Sequence, residues 1–210
     1  RFALIGQPNC GKSTLFNNVS GYKAETGNFS GTTVTFTESR VRVAGQVIDL
    51  VDLPGSYALD GLNPAEREAL RYLESRDVDV IINVADASHL AQALELTLEL
   101  LPLNRPMILA LNMIDEAMRF GLRIDGEGLS RELGIPVLPL VASKGRGVKE
   151  VFLKAINESG RMNPEFTRSV QNSELKKSDP EARHKQAMEL AGRYVTRGEK
   201  RITRRDRLDD

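Results

Sequence analysis

The chain has 210 residues, 40% of them apolar and 28% charged, which is enough apolar material for one α/β domain with a smaller appendage. Its 29 basic and 29 acidic side chains balance, so no overall field attracts it to nucleic acid or lipid. The single Cys excludes an internal disulfide framework, and no apolar run approaches the roughly 18–20 residues that span a bilayer. The chain opens inside an apolar strand without Met, and we expect it to be a piece of a longer protein.

Strand and helix patterns alternate over residues 1–159, which predicts a mostly parallel, six-stranded sheet flanked by helices. One antiparallel pair is expected at a sheet edge, around a hairpin turn at residues 44–45. Residues 21–32 are polar and Gly-rich and are predicted as a loop. The predicted strands cover residues 2–5, 35–43, 46–51, 78–85, 106–111 and 136–140. The predicted helices cover residues 12–19, 63–76, 89–101 and 147–156.

The composition changes after residue 160. Residues 161–178 are polar with few apolar anchors, whereas Asp179-Pro180-Glu181 is typical of a helix start, and that helix is predicted to end near Val195. We therefore divide the chain into a main domain, residues 1–160, and a short, mainly helical appendage or linker, residues 161–210.

The loop after the first strand carries a phosphate-binding pattern. Residues 6–13 read Gly-Gln-Pro-Asn-Cys-Gly-Lys-Ser and fit G-x-x-x-x-G-K-[ST] between a strand and a helix. Backbone N–H groups of such a loop surround a phosphate, and the helix N-terminus adds positive potential. Lys12 is expected to reach the β- and γ-phosphates, and Ser13 to bind Mg²⁺. The residues expected to contact nucleotide here are Gly6, Gln7, Pro8, Asn9, Cys10, Gly11, Lys12, Ser13 and Thr14.

A second loop, Asp52-Leu53-Pro54-Gly55, follows the third predicted strand. Asp52 at the strand's carboxyl end would hold Mg²⁺ through a water, and Gly55 would offer its N–H to the γ-phosphate. All four residues are therefore predicted nucleotide contacts. The pattern D-x-P-G alone indicates only a turn, but it gains weight from its position after the phosphate loop.

A third loop is expected to select the base. Asn112-Met113-Ile114-Asp115 follows the fifth strand, and the Asp115 carboxylate can accept hydrogen bonds from guanine N1–H and N2–H₂, a donor pair that adenine lacks. Val141-Ala142-Ser143-Lys144 is placed to support the base from its other side, mainly through backbone N–H groups. The loops in this order predict a Ras-like P-loop GTPase that binds GTP and GDP with Mg²⁺.

The residue that orients the attacking water in Ras is missing. Ras carries Gln directly after D-x-x-G, whereas this chain has Ser56, which is too short for that task. Hydrolysis should be slow unless another group stabilises the transition state. The Asn9 carbonyl beside the phosphates can help to hold a monovalent cation, with K⁺ expected, that supplies positive charge. The alternative is that Asn9 only braces the first switch loop.

Two other positions allow a simpler explanation. Cys10 lies at a helix N-terminus beside Lys12, where a thiolate is favoured, so a redox role competes with simple packing of a small residue.

The segment Gly31-Thr32-Thr33-Val34-Thr35 is predicted to contact nucleotide and offers three candidates for a Mg²⁺-capping Thr. Thr32 and Thr35 are also explained as β-branched residues that begin a strand.

Taken together, the motifs resemble those of the cytoplasmic N-terminal G domain of the ferrous iron transport protein B family (FeoB). The resemblance covers about residues 1–160. Its motifs are Gly-Gln-Pro-Asn-Cys-Gly-Lys-Ser at 6–13, Gly-Asn-Phe-Ser-Gly-Thr-Thr-Val at 27–34, Asp-Leu-Pro-Gly-Ser-Tyr at 52–57, Asn-Val-Ala-Asp-Ala-Ser at 83–88 and Ala-Leu-Asn-Met-Ile-Asp at 110–115.

The resemblance implies a GTPase switch at the cytoplasmic face of the bacterial inner membrane, linked covalently to a transmembrane Fe²⁺ permease. It implies Thr33 as the catalytic switch Thr and Mg²⁺ ligand, with Asn9, Lys12 and Gly55 as the other catalytic residues. It also implies K⁺ binding by Asn9 and by the carbonyls of Gly27 and Phe29. Small cytosolic regulatory subunits and oligomerisation are compatible with it, and no nucleic acid is expected. The family's helical bundle after the G domain is expected to be reduced or truncated here.

Two other hypotheses remain open. An RNA-linked GTPase of the ribosome-assembly or tRNA-modification type shares Asn in the phosphate loop and a Gly-Thr-Thr switch, but it usually continues with Arg-Asp, whereas this chain has Val34-Thr35. A pure binding switch would hardly turn over. Iron specificity depends on the resemblance alone, because the sequence shows no metal-ligand cluster for Fe²⁺.

Overall fold

The computed structural model describes residues 1–21, 24–29, 32–59, 63–75, 77–159 and 179–198. Its nine strands are β1 Phe2–Gly6, β2 Glu25–Asn28, β3 Thr35–Val43, β4 Gln46–Asp52, β5 Val80–Asp86, β6 Met107–Asn112, β7 Leu122–Ile124, β8 Val137–Pro139 and β9 Val195–Arg197. Its helices, within the same ranges, are α1 Lys12–Ser20, α2 Pro64–Glu74, α3 Leu90–Leu100, α4 Ile114–Arg119, α5 Gly126–Leu133, α6 Val148–Glu158 and α7 Pro180–Tyr194.

The main sheet has the strand order β2-β3-β4-β1-β5-β6-β8. Strands β4, β1, β5, β6 and β8 are parallel, whereas β2 and β3 form the antiparallel edge. The mostly parallel sheet and the hairpin, in which Val43 pairs with Gln46, are confirmed. The prediction of six strands was one too few, because the polar segment 25–28 pairs with β3 despite its weak strand propensity.

Both faces of the sheet are buried, as expected for parallel strands covered by helices. In β1, Phe2 and Leu4 point to the face where Phe16 of α1 packs. Ala3 and Ile5 point to the opposite face, which α2 and α3 cover. The central strands therefore read as continuous apolar runs. Their carboxyl ends include the polar residues Asp52, Asp86 and Asn112.

The capping signal at the start of α2 is confirmed. The Glu66 N–H donates to Asn63 Oδ1 at 2.9 Å, and the Asn63 N–H donates to Glu66 Oε2 at 3.4 Å, with Pro64 at the first helical position. These contacts satisfy backbone donors that a helix leaves without an internal partner. Helix α2 ends at Glu74, two residues before the predicted end, and the region beyond continues toward β5.

Helix α7 packs on the main domain. Ala187 and Leu190 are buried against it, and Arg183 pairs with Glu99 of α3 at 2.6 Å. Strand β9 extends this contact by pairing antiparallel with β7. The helix was predicted, but β7, β9, α4 and α5 were not, because elements of three to eight residues give little periodicity. None of the helices among the described residues is long and apolar enough to cross a membrane.

Candidate nucleotide-binding site

The site lies where parallel strands end. Because β4, β1, β5, β6 and β8 run in the same direction, the loops that follow β1, β4, β6 and β8 meet at one edge of the sheet. Three of the predicted loops contribute to a single cavity of about 550 Å³. Its lining residues are Gln7, Pro8, Asn9, Gly11, Lys12, Ser13, Thr14, Gly55 and Met113.

Charged and hydroxyl groups meet at the phosphate end of this cavity. Lys12 donates to the Asp52 carboxylate, and both side chains are about 10% exposed. The Ser13 hydroxyl donates to Asp52 Oδ2 at 3.2 Å. Carboxylate and hydroxyl oxygens are hard ligands that suit Mg²⁺, and an ammonium beside them suits phosphate. The structure thus brings the predicted phosphate and Mg²⁺ residues of two loops into contact.

Asn112 fastens the phosphate loop to the base loop. Its Nδ2 donates to the Cys10 carbonyl at 2.8 Å, and its Oδ1 accepts the Ala142 N–H at 2.9 Å. The side chain is buried, so these bonds are shielded from water. Gly11 stands beside it with φ 85°, and a Cβ built on Gly11 would overlap Asn112 Nδ2. The predicted nucleotide contact Asn112 therefore serves in this structure to hold three loops together.

We expect Gly11→Ala to destabilise the protein by at least about 2 kcal/mol, because the left-handed backbone costs about 1 kcal/mol and Asn112 must also move. Gly21→Ala is the matched control: its φ is 59°, and nothing lies within 4 Å of a Cβ at that position. The control should lose only about 1 kcal/mol. Urea unfolding of both variants measures the difference. Equal losses would contradict the proposed crowding at Asn112.

Asp115, the residue predicted to select the base, is held by cations. Lys144 Nζ lies 2.5 Å from Asp115 Oδ2, and the Arg146 guanidinium lies 4.0 Å from the same oxygen. The hydrogen bond from Lys144 lowers the pKa of Asp115, so the carboxylate stays ionised well below neutral pH. Met113 takes φ 58° and begins α4, which carries Asp115 in its first turn. Val141 exchanges backbone hydrogen bonds with Arg146, which folds the loop back on itself.

The turn at residues 54–56, which follows β4 and opens the second switch of a G domain, packs closely against the phosphate loop. The Ser56 N–H donates to the Gly6 carbonyl at 3.1 Å, and a Cβ on Gly55 would lie 3.2 Å from Pro8 N. Ser56 is buried, and its hydroxyl lies 3.4 Å from the Pro54 carbonyl. Leu53 is buried in the core, so its side chain is a scaffold for this turn. Ser56 is thus engaged locally, and its inability to orient water stays a prediction.

In the first switch, residues 27–35, the Phe29 carbonyl that was predicted to bind K⁺ has hydrogen-bond partners within the protein. The Phe29 carbonyl accepts the Thr32 N–H at 3.0 Å and the Thr32 hydroxyl at 3.2 Å. The Phe29 ring is buried against Phe36 at a centroid distance of 4.8 Å. Thr33 is exposed. Gly27, Val34 and Thr35 belong to or border the β2–β3 pair, and Gly31 lies outside the described residues. None of the described residues of this segment lines the cavity.

Cys10 is buried, which raises the pKa of its thiol to about 11. The structure therefore favours the packing explanation over a reactive thiolate. We expect Cys10 to be labelled slowly by a thiol reagent at pH 8, where only about 0.1% of such a thiol is ionised. Its reactivity should rise with pH toward 11 and should be fast in the unfolded chain. Rapid labelling of the folded protein at pH 8 would contradict the burial.

Sequence reasoning missed some residues that shape the site. Arg146 lies near Asp115. Glu99 Oε2 accepts the N–H of Leu59, four residues after Gly55, at 2.6 Å, and Glu99 also pairs with Arg183. Gln7 Nε2 donates to the Gln92 carbonyl at 2.7 Å. Lys144 and Arg146 were visible in the sequence as a pair of basic residues after the predicted strand 136–140. The contacts of Glu99 and Gln92 had no local signal, because they join distant segments.

The phosphate loop, the acidic residue that ends β4 and the Asn-x-x-Asp that starts at the last residue of β6 define a Ras-like G domain of the P-loop GTPase class. The family model described as ferrous iron transport protein B matches residues 1–155. The chain belongs to this family.

Individual relatives agree with this assignment. The chain is 42% identical over 172 residues to the Fe(2+) transporter FeoB of Salmonella typhimurium (strain LT2) and, equally, to that of Escherichia coli (strain K12). Each alignment covers 80% of this chain and 22% of the relative, so the chain spans about a fifth of those proteins.

Solved structures show the same fold. The cytosolic domain of T. maritima FeoB in its GMPPNP form matches with a TM-score of 0.81 and 27% identity, over 93% of this chain and 98% of that chain. The cytosolic domain of L. pneumophila FeoB gives 0.78 and 28%, over 94% and 100%. The G domain of T. maritima FeoB gives 0.70 and 39%, over 75% and 96%.

Proposed function

We propose that this chain binds and hydrolyses GTP as the nucleotide-dependent switch of a bacterial ferrous iron transporter. The observation that carries the proposal is the meeting of Lys12, Ser13 and Asp52 beside a cavity that the loop 112–115 also lines through Met113. Support comes from family membership and from related structures in GDP and GMPPNP forms. Single-turnover hydrolysis of GTP tests it. A rate far below about 10⁻⁴ s⁻¹ would instead favour a pure binding switch.

Mg²⁺ fits the residues at the phosphate end. Ser13 and Asp52 offer hydroxyl and carboxylate oxygens 3.2 Å apart, and Thr33 is the proposed third ligand from the first switch. When bound, the ion would neutralise charge on the phosphates. Lys12 would leave Asp52 for the phosphates, and the Gly55 N–H would bind the γ-phosphate. These roles agree with the cavity lining for Lys12, Ser13 and Gly55.

We propose K⁺ stimulation through Asn9. This residue is exposed, has φ 65° and lines the cavity, and we propose that its side-chain carbonyl binds the cation beside the phosphates. Gly27 and Phe29 are the other proposed ligands, and Phe29 must first exchange its hydrogen bonds with Thr32 for the ion. The first switch would therefore have to rearrange before the cation binds.

GTP turnover in KCl against NaCl tests the cation. We expect several-fold faster turnover in KCl and loss of that difference in Asn9→Ala. Asn104→Ala is the matched control, since Asn104 is also exposed with positive φ but follows the short helical turn Leu101–Leu103 after α3, away from the site. Equal rates in the two salts, or undiminished stimulation in Asn9→Ala, would remove the cation mechanism.

The remaining proposals concern the whole protein. We assign residues 1–160 to the G domain and 161–210 to an appendage that leads toward a transmembrane Fe²⁺ permease, which places the chain at the cytoplasmic face of the inner membrane. The 22% coverage of the relatives supports a larger protein. Fe²⁺ would be cargo of that larger protein. Among the described residues, His, Cys, Asp and Glu form no group of three that could hold a metal ion.

The alternative, an RNA-linked GTPase, lacks a supporting observation in the described structure, and the family match argues against it. An RNA pull-down with the chain in its GTP- and GDP-bound forms separates the two. We expect no RNA to be retained above the level of a Lys12→Ala control. Nucleotide-dependent retention of RNA would favour the alternative.

A further inference from the structure

The base-selecting carboxylate already has an intramolecular partner. Lys144 Nζ lies 2.5 Å from Asp115 Oδ2, and the other oxygen, Oδ1, accepts the Glu116 N–H at 3.2 Å. Arg146 adds a second positive charge 4.0 Å from Oδ2. Asp115 therefore faces two side-chain cations from the loop after β8. Any ligand that binds this carboxylate must displace these cations or share the carboxylate with them.

Guanine, like Lys144, binds the Asp115 carboxylate through hydrogen-bond donors. Its N1–H and N2–H₂ require both oxygens of the carboxylate, and Oδ2 is the oxygen that Lys144 holds. An ammonium is a stronger donor than an amino group on a neutral base, and it also draws on the carboxylate's charge. We propose that Lys144 is an intramolecular competitor of guanine for Asp115 and thereby sets nucleotide affinity and release. This inference rests on the proposed function.

Lys144 is suited to such a role because it can move. Its side chain is 57% exposed, and Gly145 follows it in the left-handed region with no atom within 4 Å of a Cβ there. An exposed ion pair contributes about 0.2–1 kcal/mol, which corresponds to at most about a fivefold change in affinity. Such a pair weakens guanine binding without blocking it. The sequence had instead assigned Lys144 to support the base.

Inosine nucleotides distinguish competition between Lys144 and guanine for Asp115 from support of the base by Lys144. Inosine lacks the N2 amino group, so it needs one carboxylate oxygen and can leave Oδ2 to Lys144. Removing the Lys144 charge should therefore help GDP more than IDP. Lys144→Met keeps the methylene stem that could pack on a base and removes only the ammonium. Lys149→Met is the matched control, because Lys149 is an exposed Lys on α6 in the same part of the chain.

The test measures dissociation constants of GDP and IDP, and the GDP release rate, for the two variants and the unaltered chain. We expect Lys144→Met to tighten GDP binding about three- to fivefold, to slow GDP release similarly, and to change IDP binding less than about twofold. Lys149→Met should leave both constants within about twofold. In an Asp115→Asn background, titrated with xanthosine diphosphate, Lys144→Met should have no effect.

Two results would overturn the proposal that Lys144 competes with guanine for Asp115. Weaker binding of both GDP and IDP in Lys144→Met would show that Lys144 supports the base. Equal tightening of GDP and IDP would show a general charge effect unrelated to Oδ2. The unaltered chain reports separately on the proposed function: if it prefers GDP over ADP, guanine recognition stands whatever Lys144 does.

Discussion

Replacing Asp115 by Asn is expected to weaken GDP binding about a hundred- to thousandfold. In the proposed complex the carboxylate would accept two hydrogen bonds from guanine, and bonds to a charged group contribute about 1.5–3 kcal/mol each. An Asn side chain accepts only through its oxygen, and its amide would face the N2 amino group of guanine donor to donor. Xanthine carries a carbonyl at that position, so the variant should gain affinity for xanthosine diphosphate while it loses affinity for GDP.

Fluorescent-nucleotide titration with GDP and xanthosine diphosphate measures this exchange. Glu116→Gln is the matched control, because Glu116 is an exposed acid adjacent in sequence and its side chain is not assigned to the base. That variant should keep its preference for GDP. If Asp115→Asn retained the GDP affinity of the unaltered chain, Asp115 would not be the base-selecting group.

Lys12→Ala is expected to remove both nucleotide binding and part of the protein's stability. The Lys12 ammonium is the strongest donor available to the phosphates in the cavity, so GTP hydrolysis should fall at least about a hundredfold. Lys12 and Asp52 are also each about 10% exposed, and the variant leaves Asp52 without its cation. Loss of one partner of a buried pair costs about 3–5 kcal/mol.

A double variant, Lys12→Ala with Asp52→Ala, separates the two effects. Removing both charges should recover much of the lost stability in urea unfolding, because no uncompensated carboxylate remains. It should not recover GTP hydrolysis, since both the phosphate cation and the Mg²⁺ ligand are gone. Lys12→Ala that hydrolyses GTP within tenfold of the unaltered rate would contradict the role given to the phosphate loop.

The sequence was informative where local pattern and tertiary position coincide. The succession along the chain of β1, β3, β4, β5, β6 and β8 and of the helices between them that were predicted followed from alternating apolar runs. The loops at 6–13, 52–55 and 112–115 followed from glycines and polar residues at strand ends. These loops then meet because parallel strands must end at one edge. The helix 180–194 was likewise visible from Pro180 at its start.

Other features depend on contacts between distant segments. The polar strand 25–28 forms only because β3 offers it a partner, and no propensity signals that pairing. The bonds of Glu99 to Leu59 and Arg183 join three segments far apart in sequence. The engagement of Phe29 by Thr32 decides which carbonyls are accessible, and a sequence pattern does not specify hydrogen-bond partners of that kind. Candidate site residues could thus be named from the sequence, whereas their hydrogen-bond partners could not be predicted from it.

The central claim is that one cavity receives a guanine nucleotide, with phosphates at Lys12 and the base at Asp115. Competition of GTP and ATP for a bound fluorescent GDP analogue tests it most directly, in Mg²⁺ at fixed salt. We expect GTP to displace the analogue at concentrations at least about a thousandfold below those of ATP, because adenine offers Asp115 no donor pair. Equal displacement by ATP would contradict the claim.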